Sequence, residues 1–129
     1  MNGPVLIIED NPQNRYLATY LLEHNGHEVV AVVDGDSGIE CVQKVLPCLI
    51  LLDIQLPTID GYAVARALRR IESIAPIPIV AFTSYAMPGD REKAIAAGCT
   101  GYIEKPIDPD TFIATLESLG LAKRSPRKP

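Results

Sequence analysis

Cys48-Leu49-Ile50-Leu51-Leu52-Asp53 is the stretch that decides the fold. Five apolar residues in a row, with turn-forming residues close behind, describe a strand buried on both faces. A parallel sheet covered on both sides offers such a strand a place. The acid at its end needs a reason, because ligands bind at the carboxyl ends of strands in an open parallel sheet.

The pattern repeats on either side. Val5-Leu6-Ile7-Ile8 is a first strand that runs into Glu9-Asp10. Asn11-Pro12 supplies a helix cap followed by a proline at the first helical position. Leu17, Leu21 and Leu22 line one face of that helix, and Asn25-Gly26 ends it. Residues 28–33 form a second strand. Asp34-Gly35-Asp36 opens a helix with Ile39, Val42 and Leu46 inward, stopped by Pro47. After Asp53 come a loop through Asp60-Gly61 and a helix marked by Val64, Leu68 and Ile71. A fourth strand spans 77–82, and Pro88-Gly89-Asp90 opens a fourth helix that ends near Gly98. The fifth strand spans 100–104. Asp108-Pro109 repeats the cap-and-proline start before Phe112, Ile113 and Leu116.

Five strand–helix units with short connections predict an α/β fold with the sheet covered on both faces. Right-handed crossovers leave few arrangements. The expected one is a flavodoxin-like doubly wound, five-stranded parallel sheet of order 2-1-3-4-5 with five helices. Its 129 residues suffice for one core. The domain is expected over residues 1–122, with 123–129 as a basic flexible tail.

Charge narrows the function. The net charge is −4, but Lys123, Arg124, Arg127 and Lys128 lie in the tail, so 16 acids face 8 bases elsewhere. An acidic body argues against nucleic acid as a ligand of the folded part. No apolar run approaches the roughly 18 residues of a membrane span, so no membrane partner is expected. Met1-Asn2-Gly3-Pro4 lacks the features of a signal peptide, and the expected location is cytoplasmic. Cys41, Cys48 and Cys99 share no metal-ligand spacing with His24 and His27. The cysteines read as reduced packing residues, and both histidines as residues near the end of a surface helix.

In the expected sheet, strands one and three are neighbours, so Glu9, Asp10 and Asp53 converge. Carboxylates in one pocket resist ionising together unless a cation intervenes. Hard oxygen ligands without His or Cys suit Mg²⁺, which accepts phosphate as a co-ligand. Thr83 and Lys105 end the neighbouring strands. A hydroxyl and an ammonium beside an acidic metal site suit a phosphoryl group carried on a carboxylate. Pro106 follows Lys105, and a cis bond at Lys105-Pro106 is expected.

These motifs together resemble the receiver domains of two-component response regulators, over residues 4–120. They are Ile7-Ile8-Glu9-Asp10-Asn11, Leu51-Leu52-Asp53-Ile54-Gln55-Leu56-Pro57, Asp60-Gly61, Phe82-Thr83-Ser84, Gly98-Cys99-Thr100-Gly101-Tyr102 and Lys105-Pro106. Ala86-Met87-Pro88-Gly89-Asp90 is also similar to single-domain cell-cycle regulators and to receivers of hybrid kinases. The resemblance implies that Asp53 accepts a phosphoryl group from a histidine kinase or a histidine phosphotransfer protein. It implies Mg²⁺ on Asp10, Asp53 and the backbone carbonyl of Gln55, with Glu9 acting through a water. Lys105, Thr83 and the Ser84 amide would hold phosphoryl oxygens, and Tyr102 would switch with Thr83. The switched face of fourth helix, fifth strand and fifth helix would meet an output protein or a second copy in a phosphorylation-linked dimer. Such a chain is a signalling domain that phosphorylates and dephosphorylates only itself.

A haloacid-dehalogenase-type phosphatase needs a second Asp two residues after a first-strand nucleophile. Here Asp10 is followed by Asn11-Pro12. A flavodoxin would need a Ser/Thr/Gly-rich phosphate loop after strand one, and a Walker loop is absent too. A receiver that binds without phosphorylation would lack signature residues, yet all are present. Gln55 and Tyr85 lie two residues past Asp53 and Thr83, where the resemblance implies that they flank the approach of hydrolytic water. Bulky Tyr85 is expected to slow self-dephosphorylation. Tyr85→Ala should shorten the phosphate half-life in an acid-labile phosphate assay; an unchanged half-life contradicts this role.

Overall fold

The computed structural model describes residues 3–56, 59–84 and 87–124. The strands are β1 (Val5–Ile8), β2 (Val29–Val32), β3 (Leu49–Asp53), β4 (Ile79–Thr83) and β5 (Gly101–Glu104). Between and after them lie α1 (Pro12–His24), α2 (Gly35–Val42), α3 (Gly61–Arg69), α4 (Asp90–Ala96) and α5 (Phe112–Ser118). The five strands pair in parallel in the order β2-β1-β3-β4-β5, as the alternation predicted. Among the described residues no helix is long and apolar enough to cross a membrane.

Side chains alternate between the sheet's two faces. Leu6, Ile8, Ile50, Leu52, Ile79 and Ala81 pack with Val42 of α2, Val64 and Leu68 of α3, and Ala94 of α4. Val5, Ile7, Leu49, Leu51, Val80 and Phe82 pack with Ala18 and Leu22 of α1 and Phe112 and Leu116 of α5. All five residues of β3 are buried. That is why its sequence reads as one apolar run.

The same alternation, carried one residue past β1 and β5, prepares the site. Glu9 follows the register of Val5 and Ile7. Asp53 follows Leu49 and Leu51, and Lys105 follows Gly101 and Ile103. All three take the α1/α5 side. Thr83 follows Ile79 and Ala81 and takes the opposite side, with Tyr102, which packs against the α2/α3/α4 cluster.

Helix starts follow their caps. Asn11 Oδ1 accepts the Asn14 amide at 3.0 Å, and Asp34 Oδ1 accepts that of Ser37 at 2.8 Å. Asp60 Oδ1 accepts the Tyr62 amide at 3.0 Å. Several expectations need correction. α2 ends at Val42, so Leu46 lies beyond it and is exposed rather than inward. α5 begins at Phe112, because Asp108 instead closes a turn: its Oδ1 accepts the Asp110 amide. His24 is the last residue of α1, but His27 is buried beyond it, where burial lowers its pKa. Residues 72–74 form a short 3₁₀ helix, and Ile77 closes a turn onto Ile74 before β4 starts. Cys48 and Cys99 are buried, Cys41 is half-buried, and all are free thiols. Pro57, Thr58, Tyr85, Ala86 and residues 125–129, including most of the expected tail, lie outside the described residues.

Arg69, on which the sequence reading placed no weight, ties three connections together. Its Nε donates to the Gly98 carbonyl at 2.7 Å, and its Nη1 to those of Ile74 at 2.9 Å and Ile77 at 2.6 Å. The planar fork reaches several acceptors that a lysine would not. Arg69→Met should therefore lower stability in urea unfolding by about 1–3 kcal/mol, the cost of leaving such acceptors unpaired. Exposed Arg66→Met should stay within about 0.5 kcal/mol. Equal effects would contradict this role for Arg69.

Candidate functional site

The carboxyl edge of the sheet brings Glu9, Asp10 and Asp53 together. Carboxylate oxygens from all three lie within 4.8 Å of one another. This follows from sheet order, because β1 and β3 pair directly, with Ile8 opposite Leu52. Glu9 is 1% and Asp53 2% exposed, whereas Asp10 faces solvent. The cluster is thus a buried pair with one accessible member.

Among the described residues, one ammonium faces it. Lys105 Nζ lies 2.8 Å from Glu9 Oε1 and 3.4 Å from Asp53 Oδ2, and 4.9 Å from the centre of the Phe82 ring. The other oxygens of these carboxylates are also engaged. Glu9 Oε2 accepts the Asn11 amide at 3.1 Å, and Asp53 Oδ1 accepts the Gln55 amide at 2.8 Å. Burial pushes the Asp53 carboxyl above its ordinary pKa and the nearby Glu9 carboxylate adds to the rise; the Gln55 amide and Lys105 oppose it.

Three carboxylates against one ammonium leave two negative charges, which one divalent cation would offset. The donor set contains only hard oxygens and fits Mg²⁺.

On the far side stand Thr83, Ser84 and Tyr102. Thr83 is 3% exposed at the end of β4. Its carbonyl accepts the Lys105 amide at 2.7 Å, tying the ends of β4 and β5. The Ser84 amide donates to Gln55 Oε1 at 3.0 Å. Tyr102 is half-buried; its hydroxyl is buried and has no hydrogen-bond partner among the described residues. The Lys105–Pro106 peptide is cis. Tyr85 lies outside the described residues.

Two supporting residues escaped the sequence reading. Arg15 Nη1 donates to the carbonyls of Glu9 at 2.9 Å and Asp10 at 3.2 Å, clamping the acidic loop to α1. A cation in the early turns of a helix opposes the dipole preference, and that mismatch was the available signal. Phe82, quoted only within the Phe82-Thr83-Ser84 motif and given no role there, lies beneath the Lys105 ammonium. Gly61 did stand in the quoted pattern, and its reason is now visible. A Cβ there would come 2.4 Å from Ile54 Cα and 2.7 Å from the Asp53 carbonyl oxygen. Only glycine lets α3 start this close to the acceptor strand.

Comparison with known proteins agrees with this arrangement. The family model described as "Response regulator receiver domain" matches residues 5–117. The chain is a response regulator receiver domain. It is 39% identical over 118 residues to the polar-differentiation response regulator DivK of Brucella ovis, covering 92% of this chain and 96% of the relative. Among solved structures it is similar to the chemotaxis protein CheY4 of Vibrio cholerae, with a TM-score of 0.87 and 27% identity over 92% of this chain and 99% of that one. It is also similar to the receiver domain of the sensor histidine kinase PA1611 of Pseudomonas aeruginosa, with a TM-score of 0.82 and 32% identity over 92% and 98% of the two chains. That structure has a magnesium ion coordinated in its active-site cleft. The receiver therefore belongs to two-component signalling.

The raised pKa of Asp53 has a measurable sign. The folded carboxyl holds its proton to higher pH than the unfolded one, which ionises near pH ~3.9. Its ionisation therefore lowers stability as pH rises through the window above that value. In metal-free buffer, Asp53→Asn should melt above the parent receiver at pH 7, and the gap should shrink as pH falls toward ~4. A variant no more stable at pH 7, or with a pH-independent gap, contradicts the electrostatic account.

Proposed function

We propose that this receiver accepts a phosphoryl group on Asp53 from a histidine kinase or histidine phosphotransfer protein and passes the signal through its α4, β5 and α5 surface. The observation that carries this reading is the placement of Asp53 Oδ2. It is buried beside the Lys105 ammonium, in a cluster of three carboxyl groups.

The two oxygens of Asp53 have different surroundings. Oδ1 is held by the Gln55 amide, which fixes the carboxylate plane. Oδ2 faces Lys105 and is the oxygen assigned to attack phosphorus. As the new O–P bond forms, the bond from phosphorus to the donor's imidazole nitrogen breaks, and that nitrogen keeps the electron pair. Lys105 offsets charge on a transferring oxygen, and Thr83 and the Ser84 amide are assigned the others. The burial that raises the Asp53 pKa also keeps bulk water from its back.

Asp10, Asp53 and the Gln55 carbonyl would hold Mg²⁺. Both Glu9 oxygens already have partners, Lys105 and the Asn11 amide, which suits contact through a water. The bound cation would supply Lewis-acid charge neutralisation. The neighbour with magnesium in its cleft supports this assignment.

The Tyr102 hydroxyl supports a two-state switch. A buried donor without a partner carries a penalty of about 1–3 kcal/mol. An outward ring would recover water, so the inward ring needs an added interaction to hold it. Thr83, on the same side of the sheet, moving toward a phosphoryl oxygen is assigned that part.

Acetyl phosphate and Mg²⁺ should give the full chain one acid-labile phosphoryl group. Asp53→Asn should carry none, and EDTA should abolish the reaction. Lys105→Met should slow it roughly 10²–10³-fold, as loss of one oxyanion donor does. Failure of the parent chain to gain phosphate sinks the reading.

A further inference from the structure

Gln55 reaches both partners of the proposed reaction. Its backbone amide holds Asp53 Oδ1 at 2.8 Å, and its side-chain Oε1 accepts the Ser84 amide at 3.0 Å. We propose that the Gln55 side chain is an autoinhibitory occupant of the phosphoryl-binding amide, a contact that must be exchanged when Asp53 is phosphorylated. This rests on the reading of the Ser84 amide as a phosphoryl donor given above.

The backbone on both sides of the contact is tied down. The Ile54 amide donates to the Phe82 carbonyl at 3.0 Å, continuing the β3–β4 ladder past Asp53. The bond from Lys105 to the Thr83 carbonyl, at 2.7 Å, fixes the peptide just before Ser84. The starts of the loops after β3 and β4 are therefore held in register. The Gln55 side chain spans the gap between them.

Length and chemistry both matter. Asparagine is one methylene shorter and falls short of Ser84. Methionine has the length but offers only a weak acceptor sulfur. A phosphoryl oxygen is anionic, and its bond to an amide is roughly twice as strong as a neutral one. The phosphoryl group therefore displaces Gln55 once it is present. Before that, Gln55 biases the loop after β4 toward its resting position. The contact is solvent-exposed, so it acts as a modest bias and not a lock.

The test uses the full chain at saturating Mg²⁺, with beryllofluoride as the phosphoryl mimic. Gln55→Asn and Gln55→Met should bind it roughly two- to tenfold more tightly than the parent, the range set by one neutral hydrogen bond. In the unliganded variants the Ser84 amide should exchange with solvent faster and shift its NMR resonance. Parent-like or weaker affinity in both variants, or an unchanged Ser84 amide, overturns the proposal. A parent chain that binds no beryllofluoride, or binds as poorly as Asp53→Asn, instead refutes the phosphoacceptor reading on which it rests.

Discussion

Three carboxylates with oxygens within 4.8 Å of one another, two of them buried, repel each other strongly enough to open a loosely built sheet edge. Much of the receiver's architecture answers that repulsion. Asp53 ends the central strand β3, buried throughout, and Glu9 extends its neighbour β1, which pairs on both sides. Lys105 bridges the two acids, and the β4–β5 tie keeps its backbone at the edge. Arg15 pins the acidic loop by its backbone carbonyls, which leaves the Glu9 carboxylate free to face inward. Such an edge keeps a standing demand for a cation.

The fold was legible because strand burial and sheet order are written in short apolar runs. β3 could not be mistaken, since every residue of it is covered. Its edge counterpart β2 carries a half-exposed pattern, but the cap at Asp34 still bounded it. Errors fell where local signals compete with tertiary ones. Leu46 is apolar at helical spacing, yet α2 stops a turn earlier and the side chain meets solvent. Asp108-Pro109 has the form of a helix start, yet Asp108 spends its carboxylate on a turn and the helix waits for Phe112. Neither outcome can be read without knowing what packs above.

For the site, residue types and strand ends were enough to place Glu9, Asp10, Asp53 and Lys105 together. Hydrogen bonds through backbone atoms were not readable. Arg15 acts on two carbonyls, Arg69 on several more, and Gln55 on a neighbouring amide. A side chain that serves another residue's backbone leaves no pairing pattern in sequence, because its partner is the same chemical group at every position. Gly61 is the intermediate case. The residue was visible in the motif, and its close approach to Asp53 was not.

The site has a rigid half and an adjustable half, and the division follows burial. Glu9, Asp53 and Thr83 are all set by strands paired on both sides. The chain beyond Thr83 leads instead toward α4, whose start at Gly89 (φ 91°) has no side-chain cap and which buries only Ala94 of its seven residues. Ile95 on the same helix is exposed. Low burial means that opening or shifting this segment costs less than disturbing the β1–β3 side. Tyr102 stands at the boundary, with its ring against the α2/α3/α4 cluster and its hydroxyl unpaired. A charge placed on Asp53 therefore meets fixed carboxylates on one side and a weakly held helix on the other. On the proposed reading, the less costly direction of change leads to the α4, β5 and α5 surface.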